Sequence, residues 1–240
     1  MTKKMTFRDE FTGQQSEIFK KLKFKEFKVP TDFNFTERSL QLIYEMYCRW
    51  LNTRYGAYLY KFELTIEDDN DEYGETLIDY LFHIVQGSVE KRNTGSDKSI
   101  GMIWNTKRKD TSTVHEGFFL IPMTETEMIN SPRGDEAEIP DEVHSIFSRI
   151  LSNFSDQVDN GIISKHRITL SFLWSKNGEG YSAVFKNSTF KMQEWCFITL
   201  CEVAELPKDE PSIAPVLFRT RLGYNPHHSY LSTQAFMPFY

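Results

Sequence analysis

Ser99–Met123, SIGMIWNTKRKDTSTVHEGFFLIPM, places two apolar runs on either side of a charged turn, with one histidine where the second run begins. Ile100, Met102 and Trp104 alternate with smaller or polar residues, and Val114 to Ile121 is rich in β-branched and aromatic side chains, so both runs read as strands of a hairpin. Asn105 to Thr113 is the connection. His115 and Glu116 then fall near the turn-proximal end of the second strand, and strand alternation sends them to opposite faces.

Upstream of this hairpin, Thr36 is a candidate helix cap, and Leu40, Ile43, Tyr44, Tyr47, Cys48 and Leu51 recur at helical three-and-four spacing. AYLYKFELTI (57–66) then alternates, which puts Tyr58, Tyr60, Phe62, Leu64 and Ile66 on one face and Leu59, Lys61, Glu63 and Thr65 on a more polar one. Leu77, Ile78, Leu81, Ile84, Val85 and Val89 mark a second helix running to about Asn93. The acids before it suit the positive end of its dipole.

Downstream, Thr124–Asn130 reads as a short helical turn, and Pro140 opens a helix with Val143, Ile146, Phe147, Ile150, Leu151 and Phe154 on its apolar side. His144 on that helix is expected at the surface. HRITLSFLW (166–174) alternates as a strand, and YSAVF (181–185) returns after a glycine-bearing turn. Thr189–Glu205 favours a last helix, with a strand through Trp195–Leu200 as the alternative. The expected division is a basic N-terminal arm over 1–35, an α+β core over 36–206 and an irregular C-terminal tail over 207–240 packed on the core.

Composition narrows the function. The chain has 240 residues, 40% of them hydrophobic and 15% aromatic, enough to fill a substantial core. No apolar run approaches the roughly 18 residues that span a bilayer, and MTKKMTFRDE is too charged for a signal peptide, so a cytoplasmic protein with no membrane partner is expected. Cys48, Cys196 and Cys201 form no close CxxC pair and read as reduced core thiols. A net charge of -6 argues against coating nucleic acid through bulk charge. The charge is uneven, however: Lys20, Lys21, Lys23, Lys25 and Lys28 crowd the arm, while Glu67–Asp79 and Asp135–Glu142 are acidic runs suited to a basic protein partner. There is no Gly-rich phosphate loop, GxSxG elbow or HExxH motif.

With the first helix set aside, the order strand, helix, strand, strand, helix, strand is that of a ferredoxin-like split βαβ core with an antiparallel sheet, one face covered by helices and the other available to a ligand. Glu63 on the first core strand and His115 on the third carry a resemblance to the HUH endonuclease group, and more narrowly to the inovirus-type, YagK/YfjJ-like replication initiators of phages and mobile elements. The resemblance spans about Phe35 to Gly223 and rests on YKFEL, ETLIDYLFHIVQGSVEKR, IGMIWN and VHEGFFLIP. It implies single-stranded or hairpin DNA as partner, Mg2+ or Mn2+ held by Glu63 and His115, and a tyrosine that attacks the phosphodiester. Two departures imply a degraded nicking site: Gly117 stands where the second motif histidine belongs, and Leu200 and Val203 stand where a late helix would carry tyrosine and lysine. Tyr224 and Tyr230 are the replacement nucleophiles that an active, metal-dependent nickase would need, with His227 and His228 as extra ligands. The expected phosphate contacts are Lys20, Lys21, Lys23, Arg219 and Arg221, and Trp104, Phe119 and Tyr60 are the expected stacking surfaces. The competing reading is an interaction or inhibitor module that binds its partner through the acidic surface.

Overall fold

The computed structural model describes residues 6–8, 15–17, 21–30, 34–53, 57–67, 72–92, 100–109, 111–124, 126–127, 141–161, 168–173, 190–205 and 217–222. The arm forms two small antiparallel hairpins, β1 (Thr6–Arg8) with β2 (Gln15–Glu17) and β3 (Lys23–Phe24) with β4 (Phe27–Lys28). Helix α1 (Glu37–Thr53) follows, and Thr36 caps it as expected: its Oγ1 accepts from the Ser39 N–H at 3.1 Å. Next come β5 (Ala57–Ile66), α2 (Glu72–Arg92), β6 (Gly101–Lys109), β7 (Ser112–Pro122), α3 (Asp141–Asp159) and β8 (Ile168–Leu173). Helix α4 (Phe190–Cys201) continues into a 3-10 turn (Glu202–Ala204), so Trp195–Leu200 is helical, and β9 (Leu217–Leu222) ends the described chain.

The chain is an α+β fold built on a five-stranded antiparallel sheet in the order β8-β5-β7-β6-β9. The four strands joined through α2 and α3 thus lie fourth, first, third, second across the sheet. Register fixes which side chains share a face, because residues directly opposite in an antiparallel pair point the same way. Tyr60 opposes Phe119, Phe62 opposes Gly117, and this side meets Leu81, Phe82 and Val85 of α2 and Val143, Phe147 and Ile150 of α3 in one core. The Tyr60 and Phe147 rings stack at 3.6 Å.

The other face is covered as well, which corrects the expectation of an open one. Leu59, Ile103, Phe118 and Leu120 pack with Phe24, Phe27 and Phe35, with Leu40 and Ile43 of α1 and with Phe197 and Leu200 of α4. Each fully buried phenylalanine contributes roughly 1.5–3 kcal/mol. Phe24, Phe27, Val29 and Phe35 therefore belong to the core although they fall in the expected arm, and Leu217–Leu222 forms an edge strand against β6 rather than irregular tail.

At the far end of α2, Thr124 and Glu127 form a reciprocal capping box, Oε2 of Glu127 accepting from the Thr124 N–H and Oγ1 of Thr124 from the Glu127 N–H. The Arg92 guanidinium pairs with Glu127 and lies 3.6 Å from Glu142, tying α2 to the start of α3. Among the described residues, no helix is long and apolar enough to cross a membrane.

Candidate functional site

His115 is 1% exposed and faces the α2/α3 core, opposite Leu64 on β5 and Thr106 on β6. Its Nδ1 shares a 2.9 Å hydrogen bond with Thr106 Oγ1. Glu63 lies on the opposite face, in register with Glu116. The expected metal pair therefore does not form: a full thickness of sheet separates the two side chains, and a Mg2+ or Mn2+ centre on Glu63 and His115 does not fit this register. Among the described residues, no group of three or more His, Cys, Asp or Glu side chains is placed to hold a metal ion.

Position 117 has no room for a histidine. A Cβ at this position would lie 2.1 Å from the Ile103 carbonyl oxygen and 2.7 Å from Trp104 Cα. The strand pair closes over the glycine, so no side chain enters without moving β6.

The face bearing Glu63 does carry a polar row. Ser171, Glu63, Glu116 and Asn105 are successive cross-strand partners from β8 to β6. Lys107 pairs with Glu116, and Lys61 lies 3.9 Å from Glu202 at the end of α4. Burial raises the Glu202 carboxyl above its ordinary range, a rise that Lys61 offsets only in part and Glu205 adds to. Asn105 is 0% exposed, and neither its Oδ1 nor its Nδ2 has a hydrogen-bond partner among the described residues.

The remaining candidates fall in separate places. Lys21 and Lys23 are exposed on the β3–β4 segment. Arg219 and Arg221 stand opposite Trp104 and Met102, at the β9 edge and in register with the α2/α3 face. Lys21 and Lys23 precede Phe24 in the layer on the α1/α4 side of the sheet, whereas Arg219 and Arg221 belong to the edge strand β9, so these candidates come from separate elements. Lys20, Tyr224, His227, His228 and Tyr230 lie outside the described residues, as do 68–71 and 135–140 of the two acidic runs and the strand expected at 181–185. Cys196 and Cys201 are buried, and desolvation raises both thiols, so neither is an activated nucleophile.

Trp104, Phe119 and Tyr60 are core residues, not stacking surfaces. His144 is half-buried instead of a surface residue, with Nδ1 3.4 Å from the Tyr60 hydroxyl. The exposed large aromatics among the described residues are Tyr80 and Trp195. Trp195 was not legible in the sequence: FKMQEWCFITLC carries apolar residues all round the helix, and only the burial of Cys196, Phe197, Leu200 and Cys201 shows which side packs inward.

No known protein family, curated protein or solved structure matches this chain.

Proposed function

We propose that this chain is a cytoplasmic nucleic-acid-binding protein of the replication-initiator type, from a phage or mobile element, that binds single-stranded or hairpin DNA without nicking it. The strand order fourth, first, third, second supports reading the core as ferredoxin-like, the architecture of the HUH initiators it resembles. The observation that carries the loss of nicking is the inversion of His115: the strand residue that resembles a metal ligand is hydrogen-bonded inside the core, and Glu116, paired with Lys107, takes the opposite face. Exposed lysines at 21, 23, 25 and 28 support binding to phosphate in a chain that is acidic overall.

The test is a paired gel with labelled single-stranded and hairpin DNA plus Mn2+. A shifted band on the native gel, with no cleaved or covalently attached product on the denaturing gel, is the expected result. A covalent adduct lost in Tyr224→Phe or Tyr230→Phe would replace this reading with an active nickase. Absence of binding to both DNA forms at low salt would replace it with a protein partner held by the acidic surface.

A further inference from the structure

The β3–β4 hairpin sets two lysines opposite each other. Phe24 and Phe27, directly paired, turn inward, and the Phe27 ring stacks on Phe197 of α4 with centroids 4.8 Å apart. Lys23 and Lys28, the adjoining pair, turn outward and are exposed. The Val29 N–H donates to the Leu22 carbonyl at 3.0 Å, so that pair is hydrogen-bonded and the next one toward the turn, Lys23 with Lys28, is not. The Lys28 N–H accordingly leaves the hairpin and donates to Glu194 Oε1 at 2.9 Å. Partners of this kind bring their side chains closest, with Cβ atoms about 4.5–5.5 Å apart.

Like charges directly opposite one another destabilise a strand pair. Among the described residues, no ion pair to either ammonium group offsets this one. Glu194 spends a carboxylate oxygen on the Lys28 backbone, and Glu26, the acid of the turn, accepts from the Tyr44 hydroxyl at 3.1 and 3.2 Å. Lys25 is engaged elsewhere, its ammonium 5.6 Å from the centre of the Phe24 ring. The turn is strained as well, because Lys25 holds φ at 53°, a left-handed conformation that suits glycine better than lysine. An anchored hairpin that keeps two opposed cations, in a chain of net charge -6, breaks a local rule of sheet stability, and such breaks concentrate at functional places.

We infer that Lys23 and Lys28 form a clamp for one phosphate group of a nucleic-acid strand, the two ammonium groups closing on it from the two strands of the hairpin. This rests on the nucleic-acid reading above and gives it a point of contact. A phosphodiester supplies the negative charge that the pair lacks, and its oxygens accept charge-assisted hydrogen bonds from both lysines at once. Because the contact is to backbone, it positions the strand without reading base identity.

The experiment is titration of the full chain with a labelled oligothymidine over a range of salt, beside thermal unfolding without DNA. The variants are Lys23→Gln, Lys28→Gln, the two combined, Lys23→Glu and, as a charge control at an exposed lysine of α2, Lys91→Gln. One shared phosphate predicts that the double variant flattens the slope of log affinity against log salt by about 0.7, whereas two separate phosphates would remove about 1.4. Lys91→Gln should leave the slope unchanged. Lys23→Glu turns the opposed cations into a cross-strand ion pair, so it should raise the melting temperature by about 1–4 °C and yet weaken binding about 10-fold or more. A purely structural role for the hairpin does not produce that opposition. An unchanged slope in the double variant, a loss near the two-phosphate value, an equal loss in Lys91→Gln, or a lower melting temperature in Lys23→Glu overturns the clamp and leaves the initiator-type reading standing. Failure of the wild type to bind any single strand at low salt overturns both. Binding to anionic phospholipid vesicles but not to the oligonucleotide, lost in the double variant, would assign the pair to a lipid headgroup and overturn the inference.

Discussion

Thr106 Oγ1 and His115 Nδ1 meet at 2.9 Å across the β6–β7 pair, on the face buried by α2 and α3. This bond makes the histidine part of the architecture. His115→Ala is expected to lower stability by about 1–3 kcal/mol, through a lost side chain and a buried threonine hydroxyl deprived of this partner. DNA affinity of the folded fraction should not change. Urea unfolding beside a binding titration separates the two effects, and an unchanged midpoint with lost binding would return His115 to the list of ligand contacts.

Gly117 faces Trp104 so closely that even a methyl group collides with backbone atoms. Gly117→Ala should cost at least about 3 kcal/mol, and Gly117→His, which would rebuild the histidine pair on paper, should yield little folded protein. Soluble yield and thermal unfolding check this. A well-folded Gly117→His variant would mean that β6 and β7 separate more easily than their register implies.

Asn105 keeps a carboxamide inside the protein at 0% exposure with neither polar atom satisfied among the described residues. Replacing it with a side chain of the same branching and no polar atoms, Asn105→Leu, should raise stability by about 1 kcal/mol. A lower urea midpoint would show that the amide serves a bond essential to the fold.

Alkaline pH should loosen the α2/α3 side of the sheet. Burial pushes the Tyr58 hydroxyl up to about 12 against a smaller opposing pull from Arg92, and burial raises Tyr60 as well. Both tyrosines ionise more readily once unfolded, where their ordinary value is about 10. Their contribution is therefore complete below pH ~10 and is lost as pH rises toward 12, at up to about 1.4 kcal/mol per pH unit for each. Unfolding midpoints across this window should fall less steeply in Tyr58→Phe, and parallel curves for the variant and wild type would refute the assignment.

Local signals carried much of the fold. Thr36 before a three-and-four pattern gave α1 and its cap, and strict alternation over 57–66 gave β5 and the polar placement of Glu63. The facing of His115 was not legible in the same way. Both parities of β7 are apolar, Val114, Phe118 and Leu120 on one side and Phe119 and Ile121 on the other, so no in-or-out choice follows from the strand alone. Only pairing with β5 decides it, and pairing is a long-range property. The same holds for the second covered face: Phe24 and Phe27 lie in a lysine-rich stretch without periodicity, and their place in the core depends on Phe197, far along the chain.

The sheet is also ordered in time. Edge strand β9 seals β6 with residues made more than a hundred positions later, Leu222 opposing Gly101. A ribosome that has finished both cores has still not supplied the segment that closes this side. During that interval the backbone amides and carbonyls of Gly101–Thr106 are a template for any extended strand nearby. A nascent chain stalled before Leu217 would thus carry a finished interior and a sticky margin, so self-association should mark truncated products more than intact ones.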